Sequence, residues 1–164
     1  FLKEKSPDRA DAVCLAVHNA AAGYWSIGTS TLRAVNAVAG DQVTFSAGLL
    51  EAATLAAAEG GTALLVAYDV TPPPLLRSVV AVTQTFAAAL LLSAEPARDS
   101  LMLDLALQRG SPTAMREAAL DQLRKANPAA AALPLLQCLA ARDGVVDLPY
   151  HGANVLRATV LVTG

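Results

Sequence analysis

Few residues of this chain can attack a carbonyl or carry a proton at neutral pH. The cysteines are Cys14 and Cys138, and the histidines are His18 and His151. Cys14 stands one helical turn, or a few strand residues, before His18, which makes it the best candidate for a thiol nucleophile in acyl transfer. No Gly-x-Ser-x-Gly elbow is present, and Ser46 falls inside a run that reads as buried helix, so a serine nucleophile is not indicated. Neither cysteine has a CxxC or histidine partner at ligand spacing. Zinc and a disulfide framework are therefore not expected, and both thiols read as small buried hydrophobes in a reducing cytosol. His18 reads as a residue packed at a helix start, and His151, between Tyr150 and Gly152, as part of a turn. The remaining chemical feature is the turn Gly40-Asp41-Gln42-Val43, ahead of a long apolar helix. Free N–H groups there could take an anion, although Asp41 opposes one, and neither a Walker nor a dinucleotide glycine pattern accompanies the turn.

Residues 32–70 must position that turn, and they read as strand, turn, helix, turn and strand, a βαβ unit. Residues 32–38 form a short β-prone run, Gly40 allows a sharp bend, and Asp41 can cap the helix. Between residues 42 and 58 only Glu51 is charged. Val43, Ala47, Leu50, Thr54 and Ala57 share one face, while Phe45, Leu49, Ala52 and Ala56 share the other. A helix so apolar all round is expected to lie inside the protein. Gly60-Gly61 stops it, and the unalternating run 63–68 predicts a strand covered on both faces.

The flanking chain supplies further elements. Residues 1–11 read as a polar entry segment, 12–17 as a possible strand, and 20–27 as a helix with Asn19 near its cap. The prolines of 71–78 mark an exposed connection, and 85–93 is a second buried-strand candidate. Residues 100–108 alternate and predict a strand with one buried face. Ser111 and Pro112 look like the start of a helix over 113–125 in which Asp121 pairs with Lys125. Asn127-Pro128 opens another helical segment, 129–142, which Pro134 must either kink or truly begin, and two strands separated by a turn at 149–153 end the chain.

At 164 residues the expectation is one domain, 1–164, able to bury a core without staples. A net charge of −2 with no basic, aromatic-studded stripe excludes nucleic acid as a partner. The longest strictly apolar run, 86–92, is far short of the roughly 18 residues a membrane span needs. No basic and hydrophobic leader opens the sequence, so a cytoplasmic location is expected.

The segments AVHNAAAGYWSI (16–27), AVAGDQVTFSAGLLEAA (37–53) and ALLVAYDVTPPP (63–74), in that order, resemble the β-ketoacyl synthase chain length factors. These are ketosynthase-like relatives of the amino-terminal half of the thiolase-fold condensing enzymes. The resemblance covers residues 12–96 and continues through 127–140. It implies an α/β thiolase-like half-fold, with a mostly parallel or mixed sheet, a buried central helix and covering helices. It also implies strands that precede residue 32 in the sheet, of which 12–17 supplies at most one, so either further strands lie upstream of Phe1 or the domain is rearranged; an upstream segment is the favoured expectation, and extra strands before Leu32 would overturn it.

In the active members the turn before the buried helix carries a nucleophilic cysteine, because the helix N-terminus lowers a thiol's pKa and its N–H groups stabilise an oxyanion. This turn has none. The resemblance makes Gln42 the counterpart of the nucleophile, or Asp41 if the register shifts by one, with Gly40, Asp41, Gln42, His18 and Asn19 as acyl-binding candidates. A glutamine amide cannot attack a thioester, and an aspartate would repel an enolate. The resemblance thus implies a non-catalytic subunit, without cofactor or metal, that shapes an acyl tunnel in fatty-acid-like, polyene or polyketide synthesis. A ketosynthase and an acyl carrier protein are the implied partners, and strand 32–38 is the implied homo- or heterodimer edge. A stand-alone acyl-thioester transferase or condensing enzyme using Cys14, and a small α/β binding domain, are the alternatives.

Overall fold

In a computed structural model of the chain, residues 20–78 and 82–162 are described. They fall into two units, Phe1–Val38 and Ala39–Gly164. Within the described part of the first, Ala20–Thr29 forms helix α1, closed by Thr29 Oγ1 donating to the Trp25 carbonyl (2.8 Å) and by Ser30 in a left-handed conformation. Tyr24, Trp25 and Ile27 are exposed. Residues 32–38 are not a strand, contrary to the sequence reading, and Leu32 is fully exposed. β propensity expresses packing against neighbouring strands, and with no ladder beside it among the described residues this segment gains nothing from becoming one. The βαβ unit therefore lacks its first strand, and with it goes the dimer edge expected there. His18, Asn19, Cys14 and the candidate strand 12–17 lie outside the described residues.

The second unit begins with a 3₁₀ turn, Asp41–Val43, leading into helix α2, Thr44–Glu59. Phe45, Leu49, Ala52 and Ala56 are buried as one face, but Thr54, Leu55 and Ala57 on the other side are exposed, so the helix is covered on one side and not all round. Alanine's small apolar side chain is tolerated on both sides, which is why its run carries no signal of direction. Gly60 stops α2 in a left-handed conformation (φ 64°), and the Gly61 N–H donates to the Ala56 carbonyl at 3.2 Å.

Strands β1 (Thr62–Asp69) and β2 (Phe86–Ser93) pair antiparallel, from Thr62 opposite Ser93 to Asp69 opposite Phe86. Both were expected to be covered on two faces. Instead Leu65 and Ala67 with Phe86, Ala88, Leu90 and Leu92 pack into the core, and Leu64, Val66, Tyr68 and Leu91 remain exposed. Strand β3 (Leu101–Arg109) joins a second sheet in the order β3-β5-β4, with β4 at Gly144–Pro149 and β5 at Asn154–Val162. All three ladders among the described residues are antiparallel, whereas the sequence reading favoured parallel or mixed pairing. The α/β class holds, compatible with a thiolase-like half-fold. One core joins Phe45 and Leu49 of α2, the inner faces of both sheets, and Leu135.

Two helix starts differ from the expected ones. Helix α3 spans Ala118–Ala126, not 113–125 from a Ser111 cap, because Thr113 is committed to β4: its N–H donates to the Asp147 carbonyl (2.8 Å) and its Oγ1 accepts from the Asp147 N–H (2.9 Å). Further on, Pro128–Ala132 is a 3₁₀ turn of buried alanines, and helix α4, Leu133–Ala141, has Pro134 in its first turn, so the proline begins the helix and does not kink it.

The pairing of Asp121 with Lys125 is present at 2.6 Å, and the Asp121 carboxylate also accepts from the Met115 N–H (3.0 Å) and from Arg124 (2.9 Å). Lys125 first, then the Met115 amide and Arg124, hold its pKa well below the usual carboxylate range. A depressed folded-state pKa stabilises the fold above the unfolded value of 3.8 and ceases to do so as pH falls through the folded value. Amide protection of α3 is therefore expected to drop as pH is lowered from about 4 towards 2. Asp121→Asn should remove that dependence, and parallel loss in both proteins would refute it.

Candidate functional site

The turn ahead of α2 is built by hydrogen bonds of its own backbone and one hydroxyl. The Val43 N–H donates to the Gly40 carbonyl (3.1 Å), the Gly40 N–H donates to Thr44 Oγ1 (2.9 Å), and that hydroxyl donates to the Asp41 carbonyl (2.7 Å). Thr44, not Asp41, therefore supplies the side chain that ties the helix entrance, and no side-chain cap bond is made at Val43, the N-cap residue. The left-handed residue is also Asp41 (φ 51°), while Gly40 sits at φ −150°, a value open to any residue. The bend that the sequence assigned to glycine is made by the aspartate, a residue type that tolerates this region better than most.

Asp41 and Gln42 are both exposed, and among the described residues neither side chain has a hydrogen-bond partner. The turn thus presents a carboxylate and a carboxamide at the positive end of a 16-residue helix. A carboxamide there can donate and accept hydrogen bonds but offers no nucleophile, and the carboxylate disfavours a second negative charge.

Around the turn the fold gathers polar groups that the sequence did not single out. The 3₁₀ turn Pro128–Ala132 packs against Asp41–Val43 and against α2. Its start is fastened by two side chains. Asn127, fully buried, accepts from the Ala130 N–H (3.2 Å) and donates from Nδ2 to the Gln84 carbonyl (2.7 Å), and Asp69, at the end of β1, accepts from the Ala129 N–H (2.9 Å). The Asn-Pro pair signals a helix start in sequence, but the partners lie 43 and 60 residues away, so no local pattern could have named them. Ser46, the third residue of α2, is fully buried, and among the described residues its Oγ has no hydrogen-bond partner.

The other candidates are elsewhere. His151 is exposed in the hairpin turn between β4 and β5, where its carbonyl accepts from the N–H and Nδ2 of Asn154 and its ring meets Tyr150 edge-on at 5.3 Å. That is a turn role. Cys138 lies half-buried in α4, and its burial, then the charge of Asp143, push the thiol up, away from the reactive thiolate. Among the described residues no cluster of three or more His, Cys, Asp or Glu could hold a metal, and no helix is long and apolar enough to cross a membrane.

Comparison with protein families gives a match over residues 6–151 to the model described as "Beta-ketoacyl synthase, N-terminal domain". Comparisons with curated proteins and with solved structures gave no significant match.

Proposed function

The chain belongs to the family of β-ketoacyl synthase N-terminal domains, and from that premise we propose that it is a non-catalytic, chain length factor type subunit. It would line an acyl tunnel beside an active ketosynthase in a fatty-acid-like, polyene or polyketide system, with residues 1–164 as its amino-terminal domain and a cytoplasmic place of work. The observation that carries this reading is the turn at the N-terminus of α2. Where a condensing enzyme needs a thiolate, the side chains are Asp41 and Gln42, both open to solvent. The scaffold keeps the helix end that would stabilise an oxyanion, but the turn lacks the group that forms the acyl-enzyme bond. Such a protein contributes shape and not covalent chemistry. Gly40, Asp41 and Gln42 would then bound the acyl site, with His18 and Asn19 as further candidates, while an acyl carrier protein delivers the chain to the ketosynthase.

Expression of the complete reading frame together with neighbouring ketosynthases and carrier proteins tests the reading. The expected result is a stable complex with one ketosynthase whose condensation activity falls at least tenfold when this subunit is omitted, a loss of about 1.4 kcal/mol or more in effective barrier lowering. A protein that stays alone and turns over acyl thioesters by itself would overturn it and direct attention to Cys14→Ala.

A further inference from the structure

We infer that the free edge of strand β3 pairs antiparallel with the same strand of a second copy of this chain, joining their two sheets into one. This edge is separate from the turn at residues 40–43, and the inference does not depend on the subunit reading.

Strand β3 ends its sheet, in the order β3-β5-β4. The Gly110 N–H donates to the Ala153 carbonyl (3.2 Å), continuing the ladder that sets Arg109 opposite Asn154. Backbone direction alternates along a strand, so residues 102, 104, 106 and 108 direct their N–H and C=O groups to β5. Leu101, Leu103, Leu105, Leu107 and Arg109 turn theirs outward. Among the described residues none of these outward groups has a hydrogen-bond partner. The opposite edge of the same sheet is closed: the Asp147 carbonyl accepts from the Thr113 N–H, its N–H donates to Thr113 Oγ1, and Pro149 offers no N–H. Strand β3 has no such device. It contains no proline or lysine, and its register with β5 runs unbroken from Leu101 to Arg109. An edge of this kind is complementary to another extended backbone.

The side chains favour a second copy over a foreign strand. In a two-fold antiparallel pair through Ala106, Leu105 lies opposite Leu107 of the second copy and Leu103 opposite its Arg109, with about eight N–H···O bonds exchanged. Leu107 is 54% exposed, although it shares a face with Leu101, Leu103 and Leu105, which pack on the core. Pairing covers it. On the other face Asp104 lies opposite Gln108 of the second copy. Asp104 is exposed and has no partner among the described residues. Gln108, its amide oxygen turned to Arg157 Nη2 at 2.9 Å, keeps its NH2 group free to donate to that carboxylate. Arg157, bonded also to Asp147 at 2.8 Å, places a guanidinium beside the same amide. A two-fold through Leu105 would instead bring the two Asp104 carboxylates to diagonal positions about 7–8 Å apart, so charge selects the register through Ala106.

Sedimentation equilibrium and amide hydrogen exchange of the full chain, each followed over concentration, test the inference. A monomer–dimer equilibrium with Kd of about 100 μM or tighter is expected, at the weak end for an interface built on one strand pair. In the dimer the amides of Leu103, Leu105, Leu107 and Arg109 should gain protection, while those of 104, 106 and 108 keep what β5 already gives them. Leu107→Pro removes an outward N–H without touching the β5 ladder and should weaken dimerisation about tenfold or more. Asp104→Lys leaves the backbone unchanged but sets a cation against Gln108 and Arg157 of the second copy, and should weaken it by about as much. Leu64→Asp, on the exposed face of the other sheet, should leave it unchanged. A chain that stays monomeric at about 500 μM overturns the inference, as does a dimer in which those four amides exchange freely. A dimer undiminished in Asp104→Lys overturns the register, and one lost in Leu64→Asp but kept in Leu107→Pro moves the interface to the β1–β2 face and overturns the assignment to β3.

Discussion

Phe45→Ala is expected to destabilise the folded chain by about 3–5 kcal/mol, a large part of what a domain of this size holds in reserve. Phe45 is 1% exposed and sits in the core with Leu49, Leu135, Leu148 and Leu156. It is also only two residues beyond the Asp41–Val43 turn, so the side chain that anchors the start of α2 is the one that fixes the turn against the core. Truncation leaves a void there that the surrounding strands cannot fill without leaving their ladders. Urea unfolding followed by circular dichroism measures the effect, with Leu55→Ala on the exposed side of the same helix as the control. Leu55 is 36% exposed, and its truncation is expected to cost less than about 1.5 kcal/mol. Equal losses at the two positions would mean that the two faces of α2 are not distinguished as described.

That contrast between faces shows where sequence reasoning reached its limit. Periodicity placed α2, β1, β2, β3 and the terminal hairpin close to their observed positions, because each is a run bounded by glycine, proline or charge. It could not say how many faces of each would be covered. In Ala-Leu-Leu-Val-Ala-Tyr the outward residues are Leu64, Val66 and Tyr68, as apolar as the inward ones, so the alternation of burial along β1 has no counterpart in composition. The same ambiguity hides strand direction: an apolar run fits a parallel or an antiparallel ladder, and only the observed register decides. Residues 32–38 erred in the opposite sense. Their β-prone character was legible, but a strand needs a neighbour, and neighbours are not a local property.

At the candidate site, the absence of a cysteine from residues 40–43 was plain in the sequence, and it is the feature from which the functional reading grows. The work done by each residue of the turn was not. Asp41 looked like a cap and proved to be the left-handed residue, while Thr44, unremarked in sequence, bonds both Gly40 and Asp41. Side-chain caps compete among several polar residues within three or four positions, and backbone dihedrals decide the winner. The Asp69 and Asn127 contacts that fasten the 128–132 turn were illegible for a different reason, since each joins segments dozens of residues apart.

Gly144→Ala is expected to destabilise the chain by about 3 kcal/mol or more, through two separable causes. The first is the backbone. Gly144 has φ 134°, a region that L-residues rarely enter, and it begins β4 directly after α4 has closed with Arg142 in the left-handed region at φ 61°. The second is space: a Cβ at this position would lie 2.7 Å from Cys138 Sγ and 3.4 Å from its Cβ. Neither residue can retreat freely, because Cys138 belongs to α4 and Gly144 is paired to Val160 of β5. A double-mutant cycle with Cys138→Ala separates the causes. Removing the sulfur should restore the steric part and leave about 1–3 kcal/mol of backbone strain, measured against Cys138→Ala alone. Gly61→Ala is the control, because no atom lies within 4 Å of its added Cβ and its backbone is not in the left-handed region; it should be neutral or slightly stabilising through the unfolded chain. If Gly144→Ala unfolds within about 0.5 kcal/mol of the parent, the tight passage from α4 into β4 is not held as described, because a surface position would tolerate as much.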